Sequence, residues 1–467
     1  MTDPRRFGAP VGGRPRPHSP VPDVAHSETS RQLVHMAMGA FALLLRWLPW
    51  WQAMALAAGA LAFNLLILPR VGAVLYRPGD RQRGIHGIIF YPLAIVLLLI
   101  VFPGRPDIVA AAWGILAIGD GAATLAGRAL GGPRWAWNRD KTIAGSIAFA
   151  VGGAAAGVFL AWWCRPAAMP EPSVLFSVLA PIAAALTAAL VETIPIRLDD
   201  NLSVSAAAGA VLWAASLVSL DRLPAAAAIA GSRVPLAIGV NAAVAWAGHR
   251  AHTVTVSGAI AGALIGTVIF VSTGWQGWLL LLATFIAASI ASRLGLTRKV
   301  LLGIAEERGG RRGVGNAIAN TGVAALAAAL ALTSASPELA RLAFAAALIA
   351  GGSDTIASEI GKAWGRRTWS VASLATVQPG TSGAMSLEGT IAGIAGAAGL
   401  GIAAIALGLI PRGALWVVVA AATAGALLES WLGATCEAQG IVNNDVLNFI
   451  NTAAAALTAI ALASWTS

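Results

Sequence analysis

The sequence has 467 residues, of which 57% are hydrophobic and 11% charged, whereas about 25% of an ordinary soluble domain is charged, so lipid rather than water is the solvent this composition fits. The net charge of +10 does not indicate a nucleic-acid partner, because most Lys and Arg fall in short loops between apolar runs, as the positive-inside rule produces, and no nucleic-acid motif accompanies them. The two cysteines, Cys164 and Cys436, have no metal-ligand spacing and define neither a disulfide framework nor a zinc site.

Residues 1–30 are rich in Pro, Arg and Ser and lack an apolar run, so they read as a disordered cytoplasmic tail and not as a signal peptide. Beyond them, about fifteen apolar runs have the length that spans a bilayer. They start near Leu33, Trp51, Gly84, Ile108, Ile143, Ser173, Leu202, Pro224, Val254, Trp275, Val314, Arg341, Leu387, Gly413 and Val446. The expected fold is an all-α polytopic membrane protein, and the many Gly and Ala suit close helix packing. With the N-terminus in the cytoplasm, loops on that side hold Arg70, Arg77, Arg81, Arg83, Arg128, Arg134, Arg139, Lys141, Arg197, Arg293, Arg298, Lys299, Arg308, Arg311, Arg312, Lys362, Arg366 and Arg367. The opposite loops hold only a few, such as Arg105, Arg165, Arg222 and Arg412, and this bias sets the orientation. A bacterial-type inner membrane is the expected location.

An internal repeat emerges around two aspartates. GDGAATLAGRALG around Asp120 and SDTIASEIGKAWG around Asp354 share D-x-x-A-x-x-x-G-x-x-x-G. Offsets of 3, 7 and 11 return to one helix face, so each Asp shares its face with small residues that allow close approach. Upstream stand Arg83-Gly84-Ile85 and Arg312-Gly313-Val314. Downstream come KTIAGS from Lys141 and PGTSGAMSLEGT from Pro379, then VETIP at Glu192 and LESWLG at Glu429. Each Glu precedes an Asp/Asn cluster, Asp199-Asp200-Asn201 and Asn443-Asn444-Asp445. The division expected is a tail (1–30), a membrane domain (31–223), a linker helix (224–251) and a second membrane domain (252–467). This makes two parallel seven-helix repeats joined by one crossing.

The carboxylates within or at the rims of apolar runs are Asp120, Glu192, Asp354, Glu359, Glu388 and Glu429. Such groups are costly in lipid, and they normally face the bundle interior or a wet cavity. The topology puts them near the cytoplasmic ends of their helices. They read either as helix-end carboxylates paired with loop arginines or as a magnesium–nucleotide site, since Mg²⁺ takes carboxylate and phosphate oxygens. For the second reading, Lys141-Thr142 and Gly380-Thr381 each precede a helix start, where N–H groups favour anions. No Walker A sequence or kinase loop is present. His35, one turn after Arg31, and His86 each open a helix, as packing residues or phosphate contacts.

RQLVH at 31–35, GDGAATLAGRALG at 119–131, KTIAGS at 141–146 and ETIPIRLDDNLSV at 192–204 resemble the CTP-dependent polyprenol kinase family, which includes dolichol and phytol kinases. The second half resembles the membrane family that includes the phytyl-phosphate kinases, through HTVTVSGAIAGALIGTVIF, GRRGVGNAIANTGVAAL, GGSDTIASEIGKAWG, PGTSGAMSLEGTIAG and LLESWLGAT. It departs from that pattern at Asn316 and Glu429. The resemblance implies a fusion of two steps. The first half would phosphorylate an isoprenoid alcohol such as phytol or geranylgeraniol, and the second would phosphorylate the monophosphate, with CTP and Mg²⁺. It implies roles for Asp120, Glu192, Asp199, Asp200, Asp354, Glu429 and Asp445 in catalysis, and for Asp120, Asp200, Asp354 and Glu388 on metal. Lys141, Thr142, Arg312, Gly380 and Thr381 would bind phosphates.

Three other readings stand beside this one: a secondary transporter built from parallel repeats, a cytidylyltransferase forming a CDP-lipid, and a chain in which one half is scaffold. Transporter sites lie near the bilayer midplane, which is what separates that reading from an enzyme working at one face.

Overall fold

Hydrocarbon offers no partners for backbone N–H and C=O, so an apolar run that enters it must satisfy them within itself, as a helix. The computed structural model describes residues 28–71, 86–304 and 311–466. The expected tail up to residue 27, the Arg83-Gly84-Ile85 start and the loop residues Arg77, Arg81 and Arg308 lie outside the described residues.

The first helices are α1 (Glu28–Met38), continued by a tighter stretch over Gly39–Arg46, then α2 (Trp50–Leu66) and α3 (His86–Val101). Next comes α4 (Pro106–Leu130), with a π turn at Ile115–Gly119. It is followed by α5 (Ile143–Cys164), α6 (Val174–Val191), α7 (Asp200–Ser216) and α8 (Leu223–Arg250). The rest of the chain forms α9 (Val256–Arg293), α10 (Val314–Thr333), α11 (Pro337–Trp364), α12 (Leu387–Ala406), α13 (Leu415–Leu432) and α14 (Asn444–Thr466).

Among the described residues, 10 helical stretches are long and apolar enough to cross a membrane. The spans expected from Trp51 and Gly84 are shorter apolar helices. Those expected from Leu33 and Leu202 are not among the ten, and Asp200, Asn201, Ser203 and Ser205 make the start of α7 polar. The spans expected from Val254 and Trp275 are one 38-residue stretch broken at Gly274, whose φ of 69° takes it out of the helix. A glycine is needed at that break because an L side chain rarely adopts such a φ.

The starts follow from capping chemistry. Thr142, Ser173, Thr255 and Ser386 each accept, through the side-chain oxygen, the backbone N–H three residues on, at 3.1 Å in every case. This satisfies one of the donors a helix N-terminus leaves open.

Among the described residues a small cluster of Ala237, Phe270 and Trp278 accompanies two large apolar cores. One gathers residues from Ala42 to Leu212, and the other gathers residues from Ile269 to Ala459. The helices carrying Asp120 and Asp354 are the most enclosed, each with 67% of its apolar window buried, against 11% for the stretch containing α8. α4 and α11 are therefore the central elements of the two cores, while α8 runs largely exposed between them.

The halves meet at both ends. Arg197 N–H donates to the Ile441 carbonyl at 3.1 Å, and Ser219 N–H donates to the Thr333 carbonyl at 2.9 Å.

The structure is not wholly helical. After α11 the chain forms a small antiparallel sheet of β1 (Thr368–Ser370), β2 (Thr376–Val377) and β3 (Ala384–Ser386), in the order β2-β1-β3. Thr368 pairs with both Val377 and Ser386.

Candidate active site

In the first half, three helix termini converge on the middle of α4. Glu192 caps the end of α6, Asp200 opens α7, and Lys141 immediately precedes the Thr142 cap of α5. Ligand oxygens of Asp120, Glu192 and Asp200 all lie within 4.8 Å of one another. Lys141 Nζ donates to Glu192 Oε1 at 2.7 Å and to Asp200 Oδ2 at 2.9 Å.

Burial pushes the Glu192 carboxyl up to about 7, opposed by the Lys141 ammonium. Burial would lower the Lys141 ammonium, but the Asp200 and Glu192 carboxylates outweigh it and hold that group above its ordinary value. With one ammonium among three carboxylates, the fully ionised cluster keeps a net negative charge. All its donors are hard oxygens, so the residues fit a divalent cation such as Mg²⁺ shared with phosphate oxygens.

Asp120 does not stand at the end of its helix as expected. About three turns of α4 (~15 Å) continue past it to Leu130. The site is nevertheless at the rim of the bundle, because α6 ends and α7 begins there. The last turns of α4 therefore project beyond that level. Asp354 is placed in the same way in α11, whose last turns continue to Trp364.

His35 completes the first cluster, a contact its helix-opening position did not reveal. Its Nε2 lies 3.6 Å from Asp120 Oδ2, and its ring packs edge-on against Tyr91 at 4.5 Å. Tyr91 in turn accepts from Trp113 Nε1 at 2.7 Å. Asp199 is near but serves another purpose: its Oδ1 accepts from Asn201 N and Nδ2, capping α7. Thr142 likewise spends its hydroxyl on the α5 cap.

The crossing that holds Asp120 recurs around Asp354. A Cβ on Gly145 would meet the Ala123 carbonyl at 3.0 Å, and one on Gly389 would meet the Ala357 carbonyl at 2.7 Å. A Cβ on Gly127 would lie 3.0 Å from Thr142 Oγ1, and one on Gly361 would lie 3.0 Å from Ser386 Oγ. By these contacts Thr142 corresponds to Ser386. Gly380-Thr381 therefore does not occupy the helix-start position expected of it, but lies in the loop between β2 and β3.

That loop still lines a cavity of about 310 Å³ together with Asp354, Ser358, Lys362, Glu429 and Glu437. Gly380 and Gly383 both have positive φ, 86° and 71°. A Cβ on Gly383 would meet Ser430 O and Ala434 N at 2.3 Å, so only glycine lets the loop lie against the end of α13. Asp354 and Glu429 are within hydrogen-bonding reach of each other, and Glu429 Oε2 is buried with no hydrogen-bond partner. An oxygen in that condition is one that a cation or a bound donor would satisfy.

Other expected members stand apart. Glu388 is in the first turn of α12 and does not line this cavity. Gly389 is the position pressed onto α11, and the preceding residue is turned about 100° away on the helix. The Asp445 carboxylate packs on Gly315 of α10, and Arg312 lines a different cavity. Among the described residues, the second half forms no three-carboxylate cluster like the first.

Lys362 was read only as a loop cation. It lies 3.1 Å from Glu359, which also pairs with Lys299 of the short helix Leu296–Leu301. Lys299 Nζ donates to the Ser292 carbonyl at 2.8 Å as well. The spacing of Glu359 and Lys362 in SDTIASEIGK signals their contact on one helix face. No local spacing signals Lys299.

Apolar helices of membrane-spanning length, with carboxylates gathered around the two most enclosed of them, define an integral membrane protein. The chain belongs to the family described as integral membrane protein DUF92, whose model matches residues 239–456. It is 39% identical over 204 residues to an uncharacterized membrane protein of Synechocystis sp., covering 43% of this chain and 78% of the relative. It is 36% identical over 211 residues to Protein VTE6, chloroplastic, of Arabidopsis thaliana, covering 44% of this chain and 63% of that protein. With Probable phytol kinase 3, chloroplastic, of Glycine max the identity is 31% over 199 residues, covering 39% and 61%. The chain thus spans somewhat less than two thirds of the length of these last two relatives. No solved structure matches.

Proposed function

We propose that the chain is a membrane phosphotransferase with two sites, one for an isoprenoid alcohol and one for its monophosphate, using a nucleoside triphosphate such as CTP. The observation that carries this reading is the Asp120–Glu192–Asp200 cluster bound to Lys141 at the rim of the bundle. A phosphoryl donor arrives from water and its acceptor from lipid, so their meeting place must be a rim. The rim position also counts against the transporter reading, whose site would lie near the midplane. The relatives named as probable phytol kinases support the substrate class.

In the first site Asp120, Glu192 and Asp200 would hold Mg²⁺, which neutralises phosphate charge when bound. Lys141 supplies a fixed cation for the phosphates, and the carboxylates beside it hold its proton. The acceptor hydroxyl oxygen forms the new P–O bond, the bond from the γ-phosphorus to the bridging oxygen breaks, and the nucleoside diphosphate leaves. The hydroxyl proton passes to a carboxylate of the cluster.

In the second site the attacking oxygen belongs to a phosphate monoester that is already largely ionised at neutral pH, its second pKa being about 6. No base is needed there, which suits a cavity with the Asp354–Glu429 pair, Lys362 and the 379–383 loop but no third clustered carboxylate. Both sites are taken to face the cytoplasm, and the Arg197–Ile441 contact between the loops following Glu192 and Glu437 supports a shared face.

The test is the purified protein in detergent with Mg²⁺, geranylgeraniol or phytol, and CTP labelled at the γ-phosphate. Labelled monophosphate and diphosphate are the expected products. Absence of labelled lipid with every nucleotide tried would overturn the proposal in favour of transport, and a labelled CDP-lipid from cytidine-labelled CTP would favour a cytidylyltransferase.

A further inference from the structure

A second cavity, of about 150 Å³, lies between α8, α9 and α10 and has one polar wall. Asn316 and Asn320 stand four residues apart on α10 and share a face, and Arg312, just before the helix, reaches the same wall with its side chain. Arg312 Nη1 donates to Asn316 Oδ1 at 3.4 Å, and Asn320 Nδ2 donates to the Asn316 carbonyl at 3.0 Å. Asn320 Oδ1 is buried and receives no hydrogen bond. The other walls are mostly apolar, among them Val244 of α8 and Gly262, Ile265, Leu281 and Phe285 of α9. The Asn241 side chain of α8 also lines the cavity and accepts from Trp278 Nε1 at 3.0 Å.

Gly262 and Phe285 would stand about 35 Å apart on an unbroken helix. They line one cavity because α9 reverses at Gly274.

The polar end of this cavity is fixed, and one helix contact separates it from the Asp354 cavity. Arg312 exchanges backbone hydrogen bonds with the 253–255 segment, to Thr253 O and from Thr255 N, both at 3.0 Å. Gly315, between Arg312 and Asn316, has no room for a side chain, because its Cβ would fall 2.0 Å from Asp445 Oδ2. Asn444, the neighbour of Asp445, lines the Asp354 cavity. The Gly315–Asp445 contact therefore lies between residues that line the two cavities.

We propose that this cavity holds the acceptor of the second site: a phosphate monoester with a linear isoprenoid chain, its head on Arg312 and Asn316 and its chain along Gly262, Ile265, Leu281 and Phe285. The proposal rests on the reading of the second half as a monophosphate kinase. A charged guanidinium at one end of an apolar cavity matches an anionic amphiphile, and the sparsely covered α8 beside it leaves the rest of the chain to lipid. Arg312 then holds the acceptor head beside the α10–α14 contact, next to Asn444 of the Asp354 cavity.

The test uses Gly262→Leu, because a Cβ there meets nothing within 4 Å and the larger side chain fills the cavity without displacing backbone. The probe is geranylgeranyl monophosphate carrying a diazirine on its first isoprene unit, photolysed with the full chain in detergent and mapped by mass spectrometry. Labelling confined to α8, α9 and α10, reduced about tenfold or more in Gly262→Leu and in Arg312→Gln, is expected. In the kinase assay, KM for geranylgeranyl monophosphate should rise by a similar factor in Gly262→Leu, while an unchanged thermal unfolding midpoint reports an intact fold. Labelling elsewhere, or labelling and KM unchanged by Gly262→Leu, would overturn the proposal. If the wild-type protein forms no diphosphate, the kinase reading of the second half fails, and the labelling map still decides whether an anionic isoprenoid occupies this cavity.

Discussion

Lys141 Nζ and Glu192 Oε1 lie 2.7 Å apart, although they come from the start of one helix and the end of another. The pair joins the α5 N-terminus to the α6 C-terminus directly beside Asp120. Replacing Lys141 with Met removes the cation that faces both Glu192 and Asp200. Formation of the monophosphate is expected to fall by about 100-fold or more, the scale for removing one preorganised charge-stabilising donor. Diphosphate formation from supplied monophosphate should be unchanged. Initial rates with each acceptor check both halves of this expectation.

The raised carboxyl of Glu192 has a pH signature. Asp120, Asp200 and Lys141 face it, and burial holds it protonated up to about 7. In the metal-free protein its folded-state value is above the ordinary 4.5, so its contribution to stability is complete below about 4.5 and is lost as pH rises through about 7. A divalent cation needs the ionised form. Mg²⁺ affinity should therefore increase as pH rises through about 7, with proton release on binding below that value. Calorimetry in buffers of different ionisation enthalpy measures the release, and Glu192→Gln should reduce it.

Asp120→Asn separates the two sites. It should eliminate monophosphate formation and spare diphosphate formation from supplied monophosphate, because Asp354 lies in the other core. Equal loss of both steps in a folded variant would show that a single site performs them.

The paired glycines make a packing prediction. Gly389→Ala places a methyl 2.7 Å from the Ala357 carbonyl, and Gly145→Ala places one 3.0 Å from that of Ala123. Overpacking of this kind costs about 1–3 kcal/mol, and the closer contact should cost more. Thermal unfolding in detergent should show both losses. The activity lost should be that of the first half for Gly145→Ala and of the second for Gly389→Ala.

Lys299 and Glu359 form an ion pair with exposures of 1% and 2%. Lys299→Met leaves Glu359 with Lys362 as its remaining ion-pair partner among the described residues, and breaking a buried pair costs about 3 kcal/mol or more. Combining Lys299→Met with Glu359→Leu should recover much of that stability, because two apolar side chains need no partner. The double variant should still lose diphosphate formation through misplacement of Lys362, seen as a higher KM for the nucleotide.

Sequence alone determined the membrane class, because a chain this poor in charge has too little polar surface for water. It also determined the Asp-x-x-Ala-x-x-x-Gly faces of α4 and α11 and the helix start after Thr142, since periodicity and helix-start signals act over a few residues. The association of Asp120 with Glu192, Asp200 and Lys141 was readable as a list of residue types, but their meeting within 4.8 Å was not. Tertiary structure alone decided that His35 reaches Asp120, that Glu388 turns away while Gly389 packs, and that the 379–383 loop crosses to α13. It also decided that Arg312 lines its own cavity and that Lys299 finds Glu359. Those contacts join segments distant in sequence. They depend on helix rotation and the reversal at Gly274, which the packing of whole helices sets and no local pattern encodes.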